Sequence, residues 1–391
     1  TNNINDMRSP SISKTAVTRP YVVYWNNIPS PYMVERFNAV ADRGAFEFEA
    51  WFNDRTEPGR SWEVDESSWR FRYRYLPRVR ISGREFRIPV PLLGRRPDVL
   101  VSLYAEPVFL TGWAIARMRR ARTGFWVEVT HDRLIRRSFW KEGIKRLLFP
   151  KMDAIVTIAE DGAAFARRYG ARDENIFFAP HVIDVEHYRQ GSSIDSAERE
   201  KLRRDLGLRG CVFVYVGRLW WGKGLGYLLE AFENVQERSP TEVSLLLVGD
   251  GPEEERLRRF CREHNLRNVV FAGFKQKPEL PRYYAAADVF VFPTLGDTYG
   301  LVVDEAMACS LPVISTSAAG EIHGRIEEGV NGYIVPPEDA EALTGRMLRL
   351  ASDDELRQRM GRRGYEKVKG HTPERWAEDF EKIVCTLLDR V

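Results

Sequence analysis

Two short segments of this 391-residue chain gather residue types that handle anions. In Gly217-Arg218-Leu219-Trp220-Trp221-Gly222-Lys223-Gly224, glycines suited to tight turns and two cations stand just ahead of a helical pattern. The amides of a helix N-terminus together with Arg218 and Lys223 suit a phosphate. The segment follows GxxxxGK[ST] only as far as Gly224, where the Mg²⁺-binding hydroxyl of an NTPase loop would stand, and Gly222-Lys223-Gly224-Leu225-Gly226 is not GxGxxG. Nucleoside-triphosphate hydrolysis and dinucleotide binding are therefore weak readings, while Arg218 and Lys223 also fit as ordinary surface cations.

The second segment, Phe292-Pro293-Thr294-Leu295-Gly296-Asp297-Thr298-Tyr299-Gly300, runs into a helical pattern over 301–309. Gly300 permits close backbone approach, and the free N–H groups of Leu301 and Val302 in the first turn offer a second anion site. Asp297 precedes that helix and Glu305 lies just over one turn inside it, so each carboxylate can serve one end of an extended ligand. Asp297 as a simple cap and Glu305 as a surface residue is the plainer alternative. In the front half, His131-Asp132 closes a strand pattern at 125–130; a lone histidine is more often structural, but one at a strand's carboxyl end beside an acid is a site candidate. Glu106, on another strand-to-helix connection, is a weaker one. His181, in Pro180-His181-Val182-Ile183-Asp184, reads as structural.

These residues need a scaffold, and the chain shows one. Strand patterns at 21–25, 46–52, 98–103, 125–130, 153–158 and 176–179 are interleaved with helical periodicity, as at 33–40, 108–118 and 161–169. After a charged stretch at 189–209 the rhythm restarts with strands at 212–216, 243–248, 269–272, 289–292 and 312–315, and helices between them. Helices at 340–351, 354–367 and 373–389 complete the chain. The pattern predicts an α/β protein of two doubly wound domains of similar size, facing each other across a cleft. The expected division is a disordered lead-in over 1–19, domains over 20–185 and 211–370, a linker over 186–210, and a last helix over 371–391 that packs back on the first domain.

Composition excludes several classes. Hydrophobic residues at 43% and charged residues at 29% are those of a globular protein, and no stretch of about eighteen apolar residues suggests a membrane span. The lead-in has no apolar core of a secretory signal, which favours a cytoplasmic protein. Cys211, Cys261, Cys309 and Cys385 lie far apart and read as buried thiols rather than zinc ligands or disulfides. The net charge of +3 hides an asymmetry: residues 1–150 hold 26 Lys and Arg against 16 Asp and Glu, leaving 33 against 40 for the rest. A basic front half favours an anionic partner. Its segment 133–149 interleaves Arg133, Arg136, Arg137, Lys141, Lys145 and Arg146 with Leu134, Ile135, Phe139, Trp140, Ile144, Leu147, Leu148 and Phe149, the make-up of a helix lying on anionic lipid or of a core-facing helix with a basic outer side. The alternation Arg70-Phe71-Arg72-Tyr73-Arg74-Tyr75 fits a half-exposed strand better than a nucleic-acid surface.

Taken in order, Gly217-Arg218-Leu219 with Lys223-Gly224, Val248-Gly249-Asp250-Gly251-Pro252, Phe271-Ala272-Gly273-Phe274 and 297–313 resemble the retaining nucleotide-sugar glycosyltransferases of family 4, bacterial polysaccharide or glycolipid type. The resemblance runs from Tyr21 onward and implies the GT-B fold of two facing Rossmann-like domains, the first holding the acceptor and the second the donor. Its E-x7-E signature falls on Asp297 and Glu305, with aspartate in place of the usual first glutamate. It implies that Glu305 holds the ribose hydroxyls, Gly217, Arg218 and Lys223 the diphosphate, the Gly273-Phe274-Lys275 backbone the base, and Thr298, Tyr299, Gly300, Leu301 and Val302 the distal phosphate and sugar. Asp297 would reach the donor sugar and His131 would orient it. The Pro-Ser-Pro-Tyr variant of the first loop makes Asn27, Ser30 and Tyr32 acceptor-side candidates, with Glu106 and Asp132. No Asp-x-Asp occurs in the sequence, so a metal-independent enzyme is expected, requiring only a UDP- or GDP-linked sugar as donor and a glycan or lipid-linked acceptor, with no nucleic acid. A non-catalytic nucleotide-sugar or polyanion-binding module, or an epimerase-like or phosphorylase-like enzyme on the same fold, are the alternatives.

Overall fold

A computed structural model describes residues 19–57, 62–63, 65–81, 84–87, 89–103, 107–128 and 139–389. The front half forms strands β1 (Tyr21–Asn26), β2 (Glu47–Phe52) and β3 (Arg72–Tyr75), a small antiparallel pair β4 (Arg78–Ile81) and β5 (Arg84–Arg87), then β6 (Val99–Leu103), β7 (Arg122–Val127), β8 (Ala154–Thr157) and β9 (Ile176–Phe178). Seven of these make one parallel sheet in the order β3-β2-β1-β6-β7-β8-β9. The back half forms β10 (Cys211–Val216), β11 (Val243–Val248), β12 (Val269–Gly273), β13 (Val289–Phe292), β14 (Val313–Thr316) and β15 (Gly332–Val335), a second parallel sheet ordered β12-β11-β10-β13-β14-β15.

Both sheets are buried on two faces, which is why their central strands read as unbroken apolar runs. In the first, Val22, Tyr24, Val101, Trp126 and Val156 face helix Pro31–Arg43, through Met33, Phe37 and Val40. Tyr21, Val23, Trp25, Trp51 and Leu100 face the other way, against helix Pro107–Met118, and Phe125 and Ile155 pack beside them against Leu148, Ala163 and Ala166. The alternation at 70–75 is an edge strand: Arg74 pairs with buried Glu49 and Arg70 with Asp42 at 2.7 Å, so its cations are matched within the fold.

The strand expected over 125–130 starts earlier and runs Arg122–Val127, because Arg122 and Thr123 already register with Val99 and Leu100 of β6; residues 129 and 130 lie outside the described residues. The charged stretch 186–210 contains two helices, Val185–Gly191 and Ser196–Leu206. Its charge is one-sided: Tyr188 and Leu202 enter the second core, while Arg199 and Arg203 clamp Asp288 at 2.8 and 2.7 Å. The short helix Ile322–Arg325 and strand β15 lacked a sequence signal because four-residue elements carry too few positions to show a period. The expectation of four buried thiols holds only for Cys211; Cys261 and Cys309 are half-buried and Cys385 is exposed, all four unpaired. Among the described residues no helix is long and apolar enough to cross a membrane.

Helices Ala340–Ala351 and Asp354–Val368 cover the second sheet, and the last helix, Pro373–Asp389, returns to the first. It buries Trp376, Phe380, Ile383, Val384 and Leu387 there, with the rings of Trp376 and Phe380 stacked 5.1 Å apart and Trp376 6.4 Å from Tyr24. Trp376→Ala should therefore cost about 3–5 kcal/mol, the usual loss for a buried tryptophan. A urea-denaturation curve followed by circular dichroism measures it, and an unchanged midpoint would mean that the docked helix contributes nothing to the first domain.

Candidate functional site

In an open parallel sheet the chain leaves neighbouring strands in opposite directions at a switch point, and the carboxyl ends of those strands form a crevice. In the second sheet β10 lies between β11 and β13, so the crevice opens between the loops that follow β10 and β13. These loops are the two segments selected from the sequence. Gly217 has φ of 147°, and Gly249, at φ 140°, packs its Cα directly over the Gly217 carbonyl, where a Cβ has no room. Leu219 N–H donates to the Asp250 carbonyl at 2.7 Å, and Leu295 N–H to the Gly222 carbonyl at 2.9 Å. The three loops are thus one hydrogen-bonded unit.

Within it, Lys223 Nζ pairs with Asp297 Oδ2, both side chains about four-fifths shielded, and lies 5.5 Å from the centre of the Phe292 ring. The other Asp297 oxygen accepts the Tyr299 N–H at 3.0 Å. Arg218 is exposed. Gly300 caps helix Leu301–Ala308 at φ 74°, and a Cβ there would stand 2.6 Å from the Phe292 ring. Gly273 ends β12 at φ 72°; Phe274 and Lys275 follow, with Lys275 Nζ 5.4 Å from the Tyr283 ring. No three His, Cys, Asp or Glu side chains are grouped as a metal site among the described residues.

Helix Leu301–Ala308 is apolar except for two consecutive acids, and both are fully buried. Glu305 accepts from the Tyr284 hydroxyl at 2.7 Å through one oxygen and from the Tyr32 hydroxyl through the other. Tyr32 belongs to the front domain, so this carboxylate joins the two halves. Burial pushes the Glu305 carboxyl above the usual carboxylate range, against the opposing pull of Tyr32, Tyr284 and Lys277. Lys277 also crosses the junction, pairing with Glu35. Asp304 accepts from the Tyr299 hydroxyl at 3.0 Å and from Arg325 at 3.3 Å. Arg325, itself buried, further donates to the carbonyls of Gly300 at 3.1 Å, Gly320 at 3.0 Å and Tyr299, and stacks 3.9 Å from the Tyr299 ring centre.

The front-domain candidates divide. Tyr32 reaches the back domain; Asn27 accepts from Asn53 at 2.9 Å; the Ser30 hydroxyl caps helix Pro31–Arg43 by accepting the Met33 N–H at 3.4 Å. Glu106, His131 and Asp132 lie outside the described residues, as does 133–138 of the basic segment. His181 and Arg36 are buried, and Arg36 Nη1 donates to His181 Nδ1 at 3.2 Å, while His181 Nε2 stands 3.2 Å from the exposed Glu128. Its ring contacts Tyr299 at 5.1 Å, which fits the structural reading.

Residues 198–367 match the family model described as Glycosyl transferases group 1. An uncharacterized glycosyltransferase of Methanocaldococcus jannaschii is 33% identical over 159 residues, covering 40% of each chain. A D-inositol 3-phosphate glycosyltransferase of Corynebacterium jeikeium is 33% identical over 202 residues, 49% of this chain and 47% of its own. The match spans less than half the length of either relative. Over the whole molecule, the structure of Anabaena Alr3699/HepE in complex with UDP superposes with a TM-score of 0.76 at 16% identity, covering 95% of this chain and all of the other. The fold is GT-B.

GT-B architecture explains why the acids sit where two domains meet, but Asp304, Arg325, Tyr284, Lys277 and Glu35 were not singled out from the sequence. The available signal was Asp304: a second acid in the otherwise apolar run Leu301-Val302-Val303-Asp304-Glu305-Ala306-Met307-Ala308 demands a buried cation. Arg325→Met, which leaves Asp304 buried and unpaired, should destabilise the protein by about 3–5 kcal/mol. Arg325→Lys should recover little of it, since a point charge cannot meet four acceptors at once. Chemical denaturation of both variants checks this; full recovery in the lysine variant would reduce the role of Arg325 to charge alone.

Proposed function

We propose that this chain is a retaining, metal-independent glycosyltransferase that moves a sugar from a nucleotide-diphosphate sugar to a glycan or lipid-linked acceptor. The observation that carries the reading is the β10–β13 crevice, where the Lys223–Asp297 pair joins the loop that carries Arg218 to the loop that leads into helix Leu301–Ala308, inside the segment matching the group 1 model. In this reading Arg218, Lys223 and the amides of Gly300, Leu301 and Val302 stabilise the departing diphosphate by fixed charges and dipoles, without reorganisation during the reaction. Asp297 holds the Lys223 ammonium in place and contacts the donor sugar, Glu305 takes the ribose hydroxyls, and the 273–275 backbone reads the base. The acceptor hydroxyl attacks the anomeric carbon from the face the diphosphate leaves; a new C–O bond forms as the sugar–phosphate bond breaks, and the hydroxyl proton passes to the departing phosphate. The UDP complex of the Anabaena protein supports a uridine donor, with guanosine the other choice.

The basic front domain supports an anionic or membrane-borne acceptor, and the D-inositol 3-phosphate glycosyltransferase among the relatives favours the same direction. Helix Phe139–Leu148 carries exposed Ile144 and Leu147 beside exposed Arg146, the composition of a face that rests on anionic lipid. Peripheral contact through 133–149, on the inner face of the cytoplasmic membrane, is part of the proposal.

A thermal-shift series with UDP, GDP and their sugar conjugates, run in chelator, tests the donor site. One diphosphate at about 100 times its Kd should stabilise the wild type by about 2.7 kcal/mol, and Lys223→Ala should lose most of that shift. If no nucleotide raised the melting temperature at saturation, the polyanion-binding alternative would take precedence. Leu147→Asp should reduce co-sedimentation with phosphatidylglycerol vesicles several-fold, whereas equal pelleting of wild type and variant would remove the membrane contact from the proposal.

A further inference from the structure

Glu305 is enclosed, and what encloses it is unevenly owned. Tyr284 lies on helix Leu280–Ala286 and Tyr188 on helix Val185–Gly191, both packed in the back domain's core, whereas Tyr32 comes from the first turn of the front domain's helix Pro31–Arg43. Two tyrosine hydroxyls, one from each domain, occupy the two carboxylate oxygens. With Glu305 fully buried, a further hydroxyl reaches it only by replacing one of these, and Tyr32 is the one that can leave by relative movement of the domains.

Next to this pair the closed junction is incompletely satisfied. Glu35 Oε2 is buried with no hydrogen-bond partner among the described residues. Unpaired buried polar atoms favour any rearrangement that supplies partners. Glu35 and Tyr32 lie three positions apart, on one side of the same helix, and Lys277 reaches both: it pairs with Glu35 and lies 5.0 Å from the Tyr32 ring and 5.9 Å from the Tyr188 ring. Lys277 follows shortly after 273–275. One helix turn of the front domain is therefore held at two points of the back domain, both beside the donor crevice.

We propose that Tyr32 is a gating residue: its hydroxyl occupies on Glu305 the position of a donor hydroxyl, so that nucleotide binding displaces it and frees the first-loop segment 27–32 to meet the acceptor. This rests on the donor-site reading of Glu305. The gate makes donor binding and front-loop position mutually exclusive states of one carboxylate, and it imposes an order in which the donor enters first.

The test uses the full chain with UDP and GDP as probes. Tyr32→Phe keeps the ring and removes only the competing hydroxyl, so calorimetric titration should show the preferred diphosphate binding about tenfold more tightly than in wild type, the worth of one hydrogen bond to a charged group. Glu35→Gln, which loosens the second cross-domain contact without touching Glu305, should act in the same direction. Small-angle scattering supplies a readout independent of affinity: the free Tyr32→Phe protein should match the radius of gyration of nucleotide-bound wild type, not that of free wild type. Equal or weaker nucleotide binding by Tyr32→Phe, with wild type binding normally, overturns the gate and leaves the donor site standing. Absence of binding by both proteins overturns the donor-site reading and the gate with it.

Discussion

A carboxylate can be taken out of water only if the protein brings donors to both of its oxygens. Two such groups stand side by side in helix Leu301–Ala308, and their demands arrange much of the molecule around them. Asp304 is met from within the back domain, by Arg325 and Tyr299, and the same guanidinium gathers the carbonyls that shape the loop ahead of the helix. Glu305 is met from both domains, so its satisfaction and the closeness of the two halves are one event.

The parallel sheets account for where this happens. Strand-order reversal beside β10 opens a crevice at the carboxyl ends; Gly249 lets backbone pass backbone at Gly217, and Gly300 leaves room for the Phe292 ring where a Cβ would collide. The three loops then hold one another through main-chain hydrogen bonds, which fixes Lys223 against Asp297 before any ligand arrives. A site made this way has its charges already placed, and that is the condition for stabilising a leaving anion without reorganisation.

The front domain is tied to this site by unlike means. Helix Pro31–Arg43 offers its first turn to the junction through Tyr32 and Glu35, while Arg36 in the next turn is buried between His181 and the rings of Trp126 and Trp376. The last helix of the chain supplies Trp376 to that cluster. The chain's end therefore supports the element that meets the back domain, linking the packing of the front core to the geometry across the cleft.

What was legible in the sequence is what local physics imposes. The interleaved strands and helices of two parallel sheets follow from apolar periodicity, and the glycine-cation loop at 217–224 and the acid pair at 297 and 305 follow from residue types set against predicted helix starts. The strand start at 122, the helices within 186–210 and the four-residue elements at 322–325 and 332–335 were not legible, because register with a neighbour strand and one-sided packing decide them. Chemistry divides in the same way. The residues around Lys223 and Asp297 are close in fold because they leave adjacent strands, which sequence order and the switch-point rule imply together. The union of Tyr32 with Glu305, 273 positions away, and of Arg325 with Asp304 was settled only by tertiary structure. A buried acid announces that it needs a donor, but only the packing of whole domains decides which side chain comes to it.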